Sequence, residues 1–215
     1  PVGGVINDIS GNNNHGTISE WANGGPIPTY AAGKVGQGLS LVSGVDQWKW
    51  ISIPDTTTLR PGTLTVSAWV KWTNAAIPPQ WAGIVDKFLA TEGDSYVLRV
   101  RTDQNFSFCV AEYSGANCID SNSNTINTNQ WYYVVGTWDG SKIKMYVDGV
   151  VQAETKAISI PNKWSNSPVL IGAENQAGLG NPNPYAVNFQ GVIDKVKIWR
   201  RALSEKEVLN EYNNP

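Results

Sequence analysis

Asp194 sits in the run Gly191-Val-Ile-Asp-Lys-Val-Lys-Ile-Trp199, where strict alternation groups its carboxylate with Val192, Val196 and Ile198. Alternate residues of a strand share a face, so Lys195, Lys197 and Trp199 take the opposite side. A carboxylate on the apolar side costs several kcal/mol unless it is compensated, and the pattern predicts a bound cation or a basic group beside Asp194. A second chemistry is stacking on sugars. The chain carries 10 Trp and 8 Tyr among 215 residues. An aromatic face packs on the apolar face of a pyranose while amides and carboxylates bond its hydroxyls. Trp131, Trp138 and Trp199 lie in strand-like runs and are read as core. Trp48, Trp81 and Tyr185 stand in Val45-Asp-Gln-Trp-Lys, Ile77-Pro-Pro-Gln-Trp and Pro182-Asn-Pro-Tyr, contexts that place them on loops, where binding residues concentrate. Arg99, on the polar parity of residues 96–101, either lies on a solvated strand face or offers a fork of donors to a hydroxyl or carboxylate. These four form the candidate ligand set.

The elements that must position them are short strands. Runs at 39–42, 50–53, 64–72, 84–87, 96–101, 106–110, 131–138, 143–147, 150–153, 169–172 and 192–199 recur at the spacing of a β-sandwich, with turn signals between them. Asp148-Gly149 joins two of these runs as a two-residue hairpin, since Asp and Gly tolerate the positive φ it requires. Residues 64–72 carry two faces: Leu64, Val66, Ala68 and Val70 on one, Thr65, Ser67, Trp69 and Lys71 on the other. Trp69 therefore lines an outer surface or lies under a loop. Cys109 and Cys118 flank a turn centred on 112–115 and would face each other, as a cross-strand disulfide or as two buried thiols; the Cα separation of opposed strand residues suits the bridge. One helix is predicted, at the C-terminus, where Ser204-Glu-Lys-Glu207 has capping-box spacing and Val208, Leu209 and Tyr212 supply an apolar stripe. Two polar stretches, 114–130 and 173–188, have the length of functional loops. No strand–helix–strand rhythm is present, which disfavours a parallel sheet. The fold class is all-β: a two-sheet antiparallel β-sandwich with one short C-terminal helix, as a single domain over 1–215.

Charged residues make up only 16% of the chain and the net charge is −2. Such a balance offers no electrostatic footprint for nucleic acid or an anionic membrane. The longest apolar runs are too short for membrane insertion by a helix. A disulfide would require oxidising surroundings. The chain opens on Pro1, without an initiator Met or a signal-peptide pattern, which is read as the loss of a leader or of a preceding region.

Four segments together resemble the laminin-G-like, concanavalin-A-like jelly-roll family of secreted prokaryotic proteins. They are Asp8-Ile-Ser-Gly-Asn-Asn-Asn-His-Gly16, Leu64-Thr-Val-Ser-Ala-Trp-Val-Lys71, Trp131-Tyr-Tyr-Val-Val-Gly-Thr-Trp-Asp-Gly140 with Ile143-Lys-Met-Tyr-Val-Asp-Gly149, and Gly191-Val-Ile-Asp194 through Ala202-Leu-Ser204. The resemblance implies a jelly roll fastened end to end by calcium, with Asp8, Asn12, Asn14 and Asp194 as ligands. Hard oxygen donors suit calcium, whereas His15 and two cysteines cannot make a zinc cage. Without an ion, the opening loop would be a set of Asx-turns. The family's Glu-x-Asp-x-x-Glu glucanase strand is absent, and no carboxylate pair or nucleophile elbow replaces it. The resulting expectation is an extracellular, non-catalytic domain that binds a polysaccharide or other glycan. The family's N-terminal strand is short or missing before Asp8, and this motivates an alternative: an adhesive or structural subunit that accepts other protein subunits by strand addition at an open sheet edge. A divergent polysaccharide-cleaving enzyme is a third reading.

Overall fold

The computed structural model describes residues 4–21, 29–41, 48–74, 81–87, 95–111, 117–122, 126–158, 164–175 and 189–215. In chain order the strands are β1 (Val5–Ile6), β2 (Gly16–Trp21), β3 (Thr29–Ala32), β4 (Gln37–Ser40), β5 (Trp48–Ile53), β6 (Leu64–Trp72), β7 (Ala82–Asp86) and β8 (Tyr96–Val100). They continue as β9 (Phe106–Val110), β10 (Cys118–Asp120), β11 (Trp131–Trp138), β12 (Lys142–Val147), β13 (Val150–Ala157), β14 (Val169–Ile171) and β15 (Gly191–Trp199), followed by helix α1 (Glu205–Asn213). One sheet has the order β1-β2-β5-β14-β7-β8-β9-β10 and the other β13-β12-β11-β6-β15-β4-β3. Every pairing is antiparallel. The predicted β-sandwich with a C-terminal helix is therefore the fold observed. No helix among the described residues is long and apolar enough to cross a membrane.

The core lies between the sheets and is filled by alternate residues of each strand. Leu64, Val66, Ala68 and Val70 of β6 meet Tyr96, Leu98 and Val100 of β8 and Phe106, Phe108 and Val110 of β9 in one apolar cluster. The turn at Asp148 and Gly149 has φ of 52° and 79° and brings Val147 opposite Val150, the two-residue hairpin that the Asp-Gly pair predicts. A second apolar cluster covers the outer face of the second sheet, where Leu203 and Val208 pack on Trp69, Tyr133, Val135 and Tyr146. The capping box of Ser204 and Glu207 starts α1 as expected. Trp69 lies beneath that helix, stacked on Tyr212 at 5.5 Å with the Lys34 ammonium 4.0 Å from its ring centroid.

Two expectations change. Asp194 does not share a face with Val196 and Ile198. It pairs opposite Trp69, and the β6 register then slips so that Lys197 faces Ser67 and Ile198 faces Val66. Lys195 absorbs the slip in the left-handed conformation, at φ 49°. Strict alternation fails at this bulge: Ile193, Val196 and Ile198 serve the core, and Asp194 turns outward on the side of Trp69. The second change concerns the first strand. β1 is present as two residues, with Ile6 opposite Gly16 and Val5 opposite Thr17, so this strand is short and not missing.

Candidate functional site

Arg99 is the centre of a polar cluster on the outer face of the first sheet. Tyr96, Leu98 and Val100 point into the core, so period-two alternation turns Arg99 to the other face. Its cross-strand neighbours are Gly83 on β7 and Ser107 on β9, and Ser107 in turn faces Asp120 on β10. Gly83 is required there. A Cβ at this position would lie 2.3 Å from the Ala173 carbonyl oxygen and 2.8 Å from the Glu174 nitrogen, so the chain leaving β14 crosses β7 at contact distance only because no side chain intervenes. That crossing delivers Glu174 to Arg99. The Nη1–Oε1 distance is 3.0 Å, and both side chains are almost fully buried.

Trp81, immediately before β7, lies over the guanidinium, with Arg99 Cζ 3.9 Å from the ring centroid. The contact is a cation–π stack, and a planar guanidinium suits it better than an ammonium. Arg99 is only 3% exposed, whereas Trp81 is 39% exposed. One face of the indole rests on the cation, and Trp81 is the exposed member of the pair. Around this pair, Arg99 Nη2 lies 3.7 Å from Cys118 Sγ, Arg101 Nη1 bonds Asp120 at 3.0 Å, and the Asn175 amide nitrogen donates to Asp86 at 3.2 Å. Beside them, three groups have buried polar atoms without a hydrogen-bond partner: Arg99 Nε, Asp120 Oδ1 and both side-chain heteroatoms of Asn175. Trp50, Leu170 and Ala173 form an apolar cluster on the same sheet face.

Two of the four residues expected to bind a ligand, Trp81 and Arg99, are thus in contact. Tyr185 and the side chain of Trp48 lie outside the described residues. Arg99 does not offer an open fork, since Glu174 and the Trp81 ring occupy it. The disulfide expectation is met: Cys109 and Cys118 face each other across β9 and β10 and are bonded.

The four expected cation ligands divide into two hydrogen-bond sets that share no residue. Asp8 accepts the Ser10 amide at 2.8 Å, the Ser10 hydroxyl at 2.8 Å and the Asn14 amide at 2.9 Å. Burial opposes ionisation of Asp8, but these donors, with His15 nearby, hold its carboxyl below the usual range. Asn12 turns back on the Ser10 hydroxyl, and the Asn14 carbonyl accepts from Thr56 and Thr58. Asp194 accepts the Val35 amide at 3.0 Å and its neighbour Lys195's amide at 2.7 Å. Each carboxylate accepts N–H donors within its own set. Among the described residues no group of three or more His, Cys, Asp or Glu is placed to share a metal.

Glu174, Asn175, Asp120 and Asp86 were not anticipated. Glu174 and Asn175 fall in the polar stretch read as a loop, and their burial follows from pairing between β14 and β7. Parity was the available signal for Asp120, which stands two residues beyond Cys118 and so shares its face.

A family model described as the concanavalin A-like lectin/glucanases superfamily matches residues 46–209. No curated protein matches the chain by sequence. Among solved structures, the binding domain of botulinum neurotoxin DC in complex with SialylT superposes with a TM-score of 0.67 at 16% identity, over 96% of this chain and 47% of that one. The receptor binding domain of a botulinum neurotoxin C/D mosaic gives 0.66 at 15%, over 96% and 48%. The chain therefore spans about half the length of the toxin chains it matches. Domain 4 of AbnA, a GH43 extracellular arabinanase from Geobacillus stearothermophilus in complex with arabinotriose, gives 0.63 at 22%, over 94% of this chain and 90% of that one. With two antiparallel sheets in jelly-roll order and a family match over most of its length, the chain belongs to the concanavalin A-like lectin/glucanases superfamily.

Proposed function

We propose that this chain is an extracellular, non-catalytic carbohydrate-binding domain that seats a glycan on the exposed face of Trp81. The observation that carries the reading is an indole fixed from behind by Arg99 yet open to solvent, beside buried groups with unpaired polar atoms. A ring held in place loses little freedom when a sugar stacks on it, so more of the contact energy appears as affinity. The arabinanase domain is the most informative similar structure, because 90% of it is matched and it is described with arabinotriose. The toxin chains are about twice as long, so a ligand of theirs need not touch the matched half. Hydrolysis of a glycoside needs one carboxyl held as an acid and another free as base or nucleophile. Here Glu174 and Asp120 are ion-paired and Asp86 accepts an amide, which supports binding over cleavage. The disulfide supports an oxidising, extracellular setting. The strand-addition alternative loses its first argument, since β1 is in place.

The test is a glycan array followed by calorimetry on the wild type and Trp81→Ala. An aromatic hot spot contributes about 2 kcal/mol, so the variant is expected to bind the array hit about 30-fold more weakly. Its thermal midpoint should fall by about a few degrees, through loss of the stack on Arg99, with strand content by circular dichroism unchanged. Equal affinity in the two proteins would overturn this site.

A further inference from the structure

We infer that the glycan held at Trp81 is uncharged, and that Arg99 is a positioning residue beneath the indole and not a receptor for an acidic sugar. The inference rests on the carbohydrate-binding reading and narrows its ligand class. An arginine beside an exposed tryptophan would ordinarily suggest a carboxylate ligand, since the guanidinium fork matches carboxylate geometry. Here that fork is already used. Nη1 is paired with Glu174 at 3.0 Å, Nη2 faces Cys118 Sγ at 3.7 Å, and the flat of the group is covered by Trp81. With 3% of the residue exposed, a uronate or sialate carboxyl could reach it only by displacing Glu174.

Charge on this face points the same way. Arg99 and Arg101 stand against Glu174, Asp120 and Asp86, with Asp103 a further partner of Arg101. Among the described residues the local balance is already negative, so an anionic saccharide gains no attraction there and meets like charge.

The experiment is calorimetric titration of the whole chain with matched neutral and acidic probes: arabino-, xylo- and galacto-oligosaccharides against oligogalacturonate and sialyllactose, each at low and high sodium chloride. Binding is expected among the neutral probes, with Kd changing less than about twofold across the salt range, because no ion pair forms with the ligand. Arg99→Lys keeps the charge but loses the planar stack, and is expected to weaken neutral binding about tenfold and to alter Trp81 fluorescence. Glu174→Gln uncovers the guanidinium charge and is expected to raise affinity for oligogalacturonate relative to the neutral probes. Preferential, salt-sensitive binding of an acidic probe by the wild type would overturn the inference and leave the carbohydrate reading standing. Binding of none of the probes, or of a non-saccharide alone, would overturn both.

Discussion

At the scale of single residues, Lys87 shows how strictly buried charge is accounted for in this fold. Its side chain is fully buried, with the ammonium 2.5 Å from Asp55 Oδ1 and 2.6 Å from the Ser167 carbonyl, and Arg60 holds the same carboxylate. Burial, and secondarily Arg60, pushes the lysine down to about 7, against the pull of Asp55. Asp55→Ala therefore removes the counter-charge of Lys87 and leaves the buried amine only the Ser167 carbonyl as a partner. Breaking such a buried pair costs about 3–5 kcal/mol, which urea denaturation should register. A loss below about 1 kcal/mol, the range of exposed pairs, would show that solvent reaches Lys87. Gly83 is a steric counterpart within the candidate site. An added methyl would meet the Ala173 carbonyl and the Glu174 nitrogen, both backbone atoms, so no rotamer change can relieve the contact. Gly83→Ala is expected to cost about 1–3 kcal/mol and to weaken glycan binding together with stability, because the segment it pushes away is the one that delivers Glu174 to Arg99. Retention of full binding in a destabilised variant would separate Glu174 from the site.

Among the described elements, α1 is expected to respond to pH through its capping carboxyl. Arg201 and the Ser204 backbone and hydroxyl hold the Glu207 carboxyl down to about 2. A carboxyl depressed in the folded state contributes stability that is complete above its unfolded value near 4.5 and is lost as pH falls through the folded value. Acid between about pH 4.5 and 2 should therefore loosen the capping box before the sandwich melts. The signal would be near-ultraviolet dichroism of the Trp69–Tyr212 stack, falling in that window in the wild type and already weakened at neutral pH in Glu207→Gln. Coincident loss of this signal and of strand content would mean that α1 has no separate transition. Which elements could be read from sequence follows from the same local logic. β6, β11, β12 and α1 carry their own signals of alternation, turn pair and cap, and these match the structure. β2, β3 and β10 do not. β3 is an edge strand with mostly exposed residues, and β10 is three residues inside a polar stretch whose pairing with β9 defines it. The face taken by Asp194 was illegible for a different reason: the bulge sits on Lys195, and lysine is not a residue that announces a left-handed backbone. The candidate site was half legible. Trp81 declared itself by its Pro-rich context and Arg99 by parity, whereas Glu174 and Asn175 become buried only through pairing of β14 with β7, a long-range contact that no local pattern encodes.

For the molecule as a whole, the question is what closes the sandwich. Its interior is one apolar cluster shared by both sheets, supplemented by the cluster under α1 and by the Cys109–Cys118 bridge at the β9–β10 edge. The opening loop and the closing strand each supply their carboxylate with backbone donors, and an ion bound between them would add to what these donors supply. Linkage makes the point measurable. A calcium ion that bound only the folded chain at a hundredfold excess over its Kd would add about 2.7 kcal/mol, worth about 5–11 °C in the melting midpoint of a chain this long. We expect the midpoints in millimolar calcium and in chelator to coincide, and Asp8→Asn and Asp194→Asn each to lower them through the lost charge-assisted hydrogen bonds. A midpoint that falls on chelation, recovers with calcium, and no longer responds in either variant would instead mean that one of these carboxylates exchanges its N–H donors for a cation. The sandwich would then be closed by an ion as well as by its core.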